Sequence, residues 1–185
     1  MGSSDHLQVV GGGEMDSMRQ AKRPVTVFAG PYGHPLHPAM VAVPIGSWLA
    51  SFVFDLGSRF VDDGTYLVRG SRWLIALGVL GALAAATLGF LDFLAIPPGT
   101  PAFRTAVVHL SLNLTVTVAY AANFLLRDDA AHQVGWGLVA LSVVSLAALA
   151  VAGYLGGKLA FRYGVRVADE STQSEGYRVV KDGEI

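Results

Sequence analysis

Residues 73–96 read WLIALGVLGALAAATLGFLDFLAI, an apolar run in which Asp92 is the one charged residue. A helix rises about 1.5 Å per residue, so about 20 such residues cross a hydrocarbon core about 30 Å thick. This run is long enough to span a membrane. Three further segments, 38–58, 103–126 and 134–159, share its character. The connections between them are short: Arg59 to Arg72, then Pro97-Pro98-Gly99-Thr100-Pro101, then Arg127 to Gln133. Short connections make consecutive spans antiparallel neighbours. The expected fold is therefore all-α, an integral membrane antiparallel four-helix bundle over residues 27–167, with flexible polar tails at 1–26 and 168–185.

Composition points the same way. Of 185 residues, 52% are hydrophobic and 15% charged, against about 25% charged in a soluble domain. A formal net charge of -1 creates no field that would recruit nucleic acid. The absence of cysteine excludes disulfides, cysteine-ligated iron-sulfur clusters and covalent c-type haem. Any metal or haem would be held by His, carboxylate or another non-thiol group. Gly11-Gly12-Gly13 lacks the context of a phosphate loop, and no H-E-x-x-H helix or Ser-His-Asp spacing is present, which argues against an NTPase or hydrolase. Residues 1–26 hold the basic group Arg19, Lys22 and Arg23 and no apolar core of a cleavable signal peptide.

Orientation follows from the basic residues. Nine of the 13 fall on the side of the two tails and the second connection, and four (Arg59, Arg69, Arg72 and Arg127) on the other. Without the distant Arg178 and Lys181 the bias is seven to four. The positive-inside rule then puts both termini in the cytoplasm.

At about 100° per residue, His109, Asn113, Tyr120 and Asn123 fall on one face of the third span, with Thr117 at its margin. In the first span His37, Pro44, Trp48, Ser51 and Asp55 align, and in the second Gly78, Gly81, Ala85 and Asp92. Polar and small residues sharing a face turn it into the bundle. Gly78, Gly81 and Ala85, and in the fourth span Gly153, Gly156 and Gly157, allow close helix approach. Asp55 has Arg59 at i+4, the spacing of a helical ion pair. Lys158 and Arg162 reach for the headgroups, and Trp73 and Trp136 lie at the interface.

Depth brings the histidines together. Residues 33–38 read GHPLHP, and a proline after each histidine holds His34 and His37 extended at the mouth of the first span. Asp92 ends the second span and His109 begins the third, on the same side. His34, His37, Asp92 and His109, with Arg104, Asn113 and Tyr120 in support, form the candidate site. Neutral imidazoles and a carboxylate suit a transition metal ion, and two imidazoles suit a non-covalent haem b. In the plainer alternative Asp92 pairs with His109 or Arg104, and the cluster only glues helices together.

Four motifs in order, GHPLHP, Gly89-Phe90-Leu91-Asp92, His109-x-x-x-Asn113 and Gly156-Gly157-Lys158-Leu159-Ala160-Phe161-Arg162-Tyr163-Gly164-Val165-Arg166-Val167, give the chain a resemblance to a bacterial four-span membrane family catalogued as a domain of unknown function. The resemblance covers about residues 30–167. Similar domains joined to Rieske-type iron-sulfur domains imply work beside a membrane redox complex or a Rieske-type protein. The resulting expectation is a redox protein that is not an enzyme on its own, embedded in the lipid bilayer, with homo-oligomers also conceivable. The alternatives are a structural or accessory subunit, and a small transporter or proton conductor using Asp55, Tyr120, Asn113 and Asp92. The latter is disfavoured by the lack of inverted repeats or broken helices.

Overall fold

Pro38 suits the first helical turn, where its missing N–H has no partner to lose, and the first span starts there as α2 (His37–Met40). Pro44 cannot donate to the carbonyl one turn back, so the helix resets at Val41 and continues as α3 (Ala42–Gly57). In the computed structural model, which describes residues 3–128 and 130–177, with side chains from Gly13 onward, three long helices follow. They are α4 (Thr65–Leu94), α5 (Pro101–Leu125) and α6 (Trp136–Gly157), the last widening into a π-helical turn at Lys158–Arg162. Together with His37–Gly57 these make four helices long and apolar enough to cross a membrane. No strand occurs among the described residues.

The second span begins earlier than its apolar run suggests, at Thr65 rather than Trp73. Arg69 and Arg72 do not stop it, because the first turns lie outside the hydrocarbon and long basic side chains fold along the surface. Arg72 sets its guanidinium 4.6 Å from the Phe124 ring. Pro101 occupies the first turn of α5, whose N-terminus Thr100 caps by accepting from Phe103 N–H at 3.1 Å.

Each span packs on the next, and α6 closes the ring against α3. Inward positions are those the polar and small stripes marked: Trp48, Ser51, Asp55, Gly78, Gly81, Ala85, Tyr120 and Asn123 are buried, whereas Leu80, Leu83, Val118 and Val144 face outward. Gly78 lies against the Trp48 indole and Gly81 against Val43 and Pro44. Of the fourth-span glycines, Gly156 lies against His109, but Gly153 has open space around it and Gly157 meets only Phe161.

The two hairpins, α2–α3–α4 and α5–α6, run in the same sense, and equivalent positions meet across the core. His37 faces His109, Trp48 stacks on Tyr120 and Asp55 binds Arg127, each pair 72 positions apart. Along the second helix of each hairpin, Ala85 corresponds to Ala152 and Gly89 to Gly156, with equal offsets. The halves are thus related by an approximate twofold axis along the bundle, a parallel repeat rather than an inverted one.

Where composition suggested a flexible N-terminal tail, residues Ser3–Lys22 form helix α1. Its last turn is docked: Ala21 and Lys22 are buried, Arg166 N–H donates to Ala21 O at 3.0 Å, and Lys22 Nζ pairs with Asp169 at 3.4 Å. At the other tail Glu170–Gln173 forms a short helix, α7, while the rest of the expected tail, 178–185, lies outside the described residues.

At the far end the first and third connections are clasped. Asp63 accepts from Thr65 N–H and from His132 Nδ1, each at 3.0 Å. These bonds, those of Thr65 above all, hold the Asp63 carboxyl down at about 2 against an ordinary 3.8. A depressed carboxylate pKa stabilises fully above the unfolded value and loses its effect as pH falls through the folded one. Hydrogen exchange at the Thr65 amide should therefore stay slow down to about pH 4, and its protection should disappear as pH approaches 2. Asp63→Ala should remove that protection at every pH.

Candidate functional site

His37 and His109 enter the bundle from diagonally placed helices, and each reaches across to the helix that follows it. His37 Nδ1 donates to Ala85 O and His109 Nδ1 to Ala152 O, both at 2.8 Å. A carbonyl oxygen only accepts, so both rings carry their proton on Nδ1 and keep Nε2 as a lone pair. Their ring centres are 6.3 Å apart with planes at 87°.

Small residues make the room. A Cβ on Gly89 would come within 2.9 Å of the His37 ring, and one on Gly156 within 3.1 Å of the His109 ring. Ala85 and Gly89, like Ala152 and Gly156, are one helical turn apart, so each imidazole lies along a two-step notch in its neighbour. Asn113 Nδ2 donates to His109 O at 2.8 Å and sits 3.3 Å from His109 Nε2, bracing the ring from its own helix.

The other residues expected at the site are placed elsewhere or otherwise engaged. His34 is exposed, with Nδ1 3.5 Å from Tyr32 O. Arg104 is exposed on α5. Asp92 pairs with neither His109 nor Arg104; its Oδ1 lies 2.6 Å from Arg166 Nε. Tyr120 is buried but lies three turns below His109, stacked on Trp48 at 4.3 Å with planes 7° apart. Among the described residues no three His, Cys, Asp or Glu side chains are gathered to hold a metal ion. Two imidazoles therefore converge where the sequence suggested three and a carboxylate.

The opposite end holds a second polar cluster that sequence reading missed. Asp55 does not pair with Arg59. It binds Arg127 through two hydrogen bonds of 2.7 Å, from Nη1 to Oδ1 and from Nη2 to Oδ2. Both side chains are essentially inaccessible, at 0 and 1% exposure. Arg127 also donates through Nε to Asn123 Oδ1 at 2.9 Å and through Nη1 to Ser71 Oγ at 2.9 Å. Asn123 in turn donates to Ser142 Oγ at 3.0 Å, so all four spans join the network. Arg59 turns outward instead, donating to Val134 O and lying 3.7 Å over the Trp136 ring. One signal was available: Arg127 follows Asn123 at i+4 and so extends the polar stripe of the third span.

The carboxylates of a proton-path reading, Asp55 and Asp92, are each held by an arginine. That leaves the twin imidazoles, with ring centres 6.3 Å apart, as polar groups of the bundle that make no ion pair among the described residues.

A family model described as "Predicted membrane protein (DUF2231)" matches residues 33–169. No curated protein and no solved structure matches the chain.

Proposed function

This chain belongs to the DUF2231 family of predicted membrane proteins, and we propose that it is an electron-transfer protein in which His37 and His109 hold a haem b between the two hairpins. The supporting observation is the pair of equivalent imidazoles, each donating from Nδ1 to a backbone carbonyl at 2.8 Å; the contact of His109 Nε2 with Asn113 Nδ2 at 3.3 Å is one the ligand would replace. Donation from the far nitrogen orients a ligating histidine and raises its basicity.

The donor set favours haem over a bare ion. A zinc or iron ion needs four or more ligands, and two imidazoles alone leave it under-coordinated. A haem brings four nitrogens and asks the protein only for axial ligands. Two imidazoles sharing one metal at about 2 Å have ring centres about 6 Å apart, which matches the separation of His37 and His109. The glycine and alanine notches supply apolar walls against the half-buried rings.

When bound, the haem supplies a one-electron couple. Held by both His37 and His109, the group would serve electron transfer rather than the activation of exogenous gases. Placing the termini in the cytoplasm of a bacterium, as the basic bias favours, puts the site in the inner leaflet, within reach of a membrane redox complex or a Rieske-type partner.

The test is a visible spectrum and metal analysis of the protein purified from its native membrane. A Soret band is expected, with a low-spin spectrum unaffected by carbon monoxide. His37→Ala and His109→Ala should each weaken haem retention by more than the factor of about 10–100 that loss of an outer-shell partner costs and open the remaining haem to carbon monoxide. A folded, colourless and metal-free protein would overturn the proposal and favour an accessory, structural subunit.

A further inference from the structure

Arg166 is the residue of the terminal end whose environment its visible partners do not account for. It is 3% exposed and adopts a left-handed backbone, φ 61°, which a branched or long side chain rarely accepts. Its side chain lies between segments far apart in sequence. Nη2 donates to Ala29 O at 2.9 Å and to Gly30 O at 3.0 Å, and Nε pairs with Asp92 at 2.6 Å. Nη1, with two further N–H groups, is buried and makes no hydrogen bond among the described residues; Nε makes none either, its contact with Asp92 being an ion pair. A guanidinium cannot shed its proton, so a buried unmet Nη1 calls for an acceptor.

The location narrows what that acceptor is. Ala85, Gly89 and Asp92 lie on one face of α4, four and three residues apart. His37 bonds to the first and packs on the second, so Asp92 and its arginine stand one turn towards the termini from the imidazole pair, about 5 Å along the helix. Arg166 thus borders the candidate site on the side nearest water. A planar guanidinium with one nitrogen in reserve suits a carboxylate above other acceptors.

We propose that Arg166 Nη1 receives a carboxylate on the polar edge of the ligand held by His37 and His109. The ligand class is then a macrocycle that carries carboxylates, with its apolar body between the hairpins and its acidic edge towards the termini. This assignment rests on the haem reading and adds the recognition of the acid groups. Asp92 acts as the positioning residue, holding Nε so that Nη1 is presented.

The experiment compares haem b with its dimethyl ester, titrated into the full-length apoprotein in detergent and followed at the Soret band. The wild type should bind the free acid about tenfold or more tightly than the ester, the size of one charge-assisted hydrogen bond. Arg166→Gln should bring the ratio close to one, and Arg166→Lys should restore part of it. A role limited to pinning Ala29 and Gly30 would weaken both ligands alike and leave the ratio unchanged, which would overturn the assignment. A wild-type ratio of one would overturn it without recourse to any variant, including one that fails to fold. Uptake of neither ligand would overturn the haem reading itself.

Discussion

Arg127→Met is expected to destabilise the bundle by about 3–5 kcal/mol, enough to unfold it in mild detergent. The substitution keeps an unbranched apolar stem but leaves the Asp55 carboxylate buried at 0% exposure without a counter-charge. It also strips Asn123 Oδ1 and Ser71 Oγ of a donor. An ion pair in low dielectric roughly offsets its own desolvation, whereas half of one does not. The double variant Asp55→Leu/Arg127→Met should therefore recover most of the loss, because neither charge is then stranded. Reversible unfolding in mixed micelles measures both. A single-variant loss below about 1 kcal/mol, the value of an exposed pair, would show that water reaches the site. The same measurement on Arg59→Met should give a smaller change, since Arg59 is only half-buried against Trp136 and its loss strands no buried carboxylate.

Gly78→Ala is expected to cost about 1–3 kcal/mol, the range of core overpacking, while Gly153→Ala should be neutral or stabilise by up to about 1 kcal/mol through helix propensity. A Cβ at Gly78 would overlap the Trp48 indole, which cannot retreat because Tyr120 is stacked on its other face. At Gly153 nothing lies within 4 Å of the added atom. Both positions are glycines inside long apolar helices, and only their surroundings separate them. Equal effects of the two substitutions would mean that the Trp48–Tyr120 stack is not a rigid part of the core.

These two cases mark where sequence reading succeeds and where it stops. The face carrying Trp48, Ser51 and Asp55, and the face carrying Tyr120 and Asn123, were both legible from spacing, because a helix of known pitch places its own residues without reference to neighbours. Partners were not legible. Asp55 has Arg59 at helical spacing, so a local rule pairs them, yet Arg127 from the other hairpin takes the carboxylate. Asp92 likewise had nearby candidates in His109 and Arg104, but Arg166, 74 positions on, lies against it. The repeat is hidden in the sequence for a related reason. His37 and His109 are identical, as are Ala50 and Ala122, and Phe52 and Phe124, but Trp48 corresponds to Tyr120 and Asp55 to Arg127, so equivalence lies in placement more than in identity.

The number of spans, their antiparallel alternation and the inward faces of the first three follow from the sequence alone, because transfer into hydrocarbon is a sum over residues and a helix fixes its own periodicity. The meeting of His37 with His109, the departure of His34 from the site and the choice of arginine for each buried aspartate were decided by the tertiary structure. Those outcomes depend on the rotation and depth of one helix against another, which packing of the whole bundle determines, and no segment carries that information by itself.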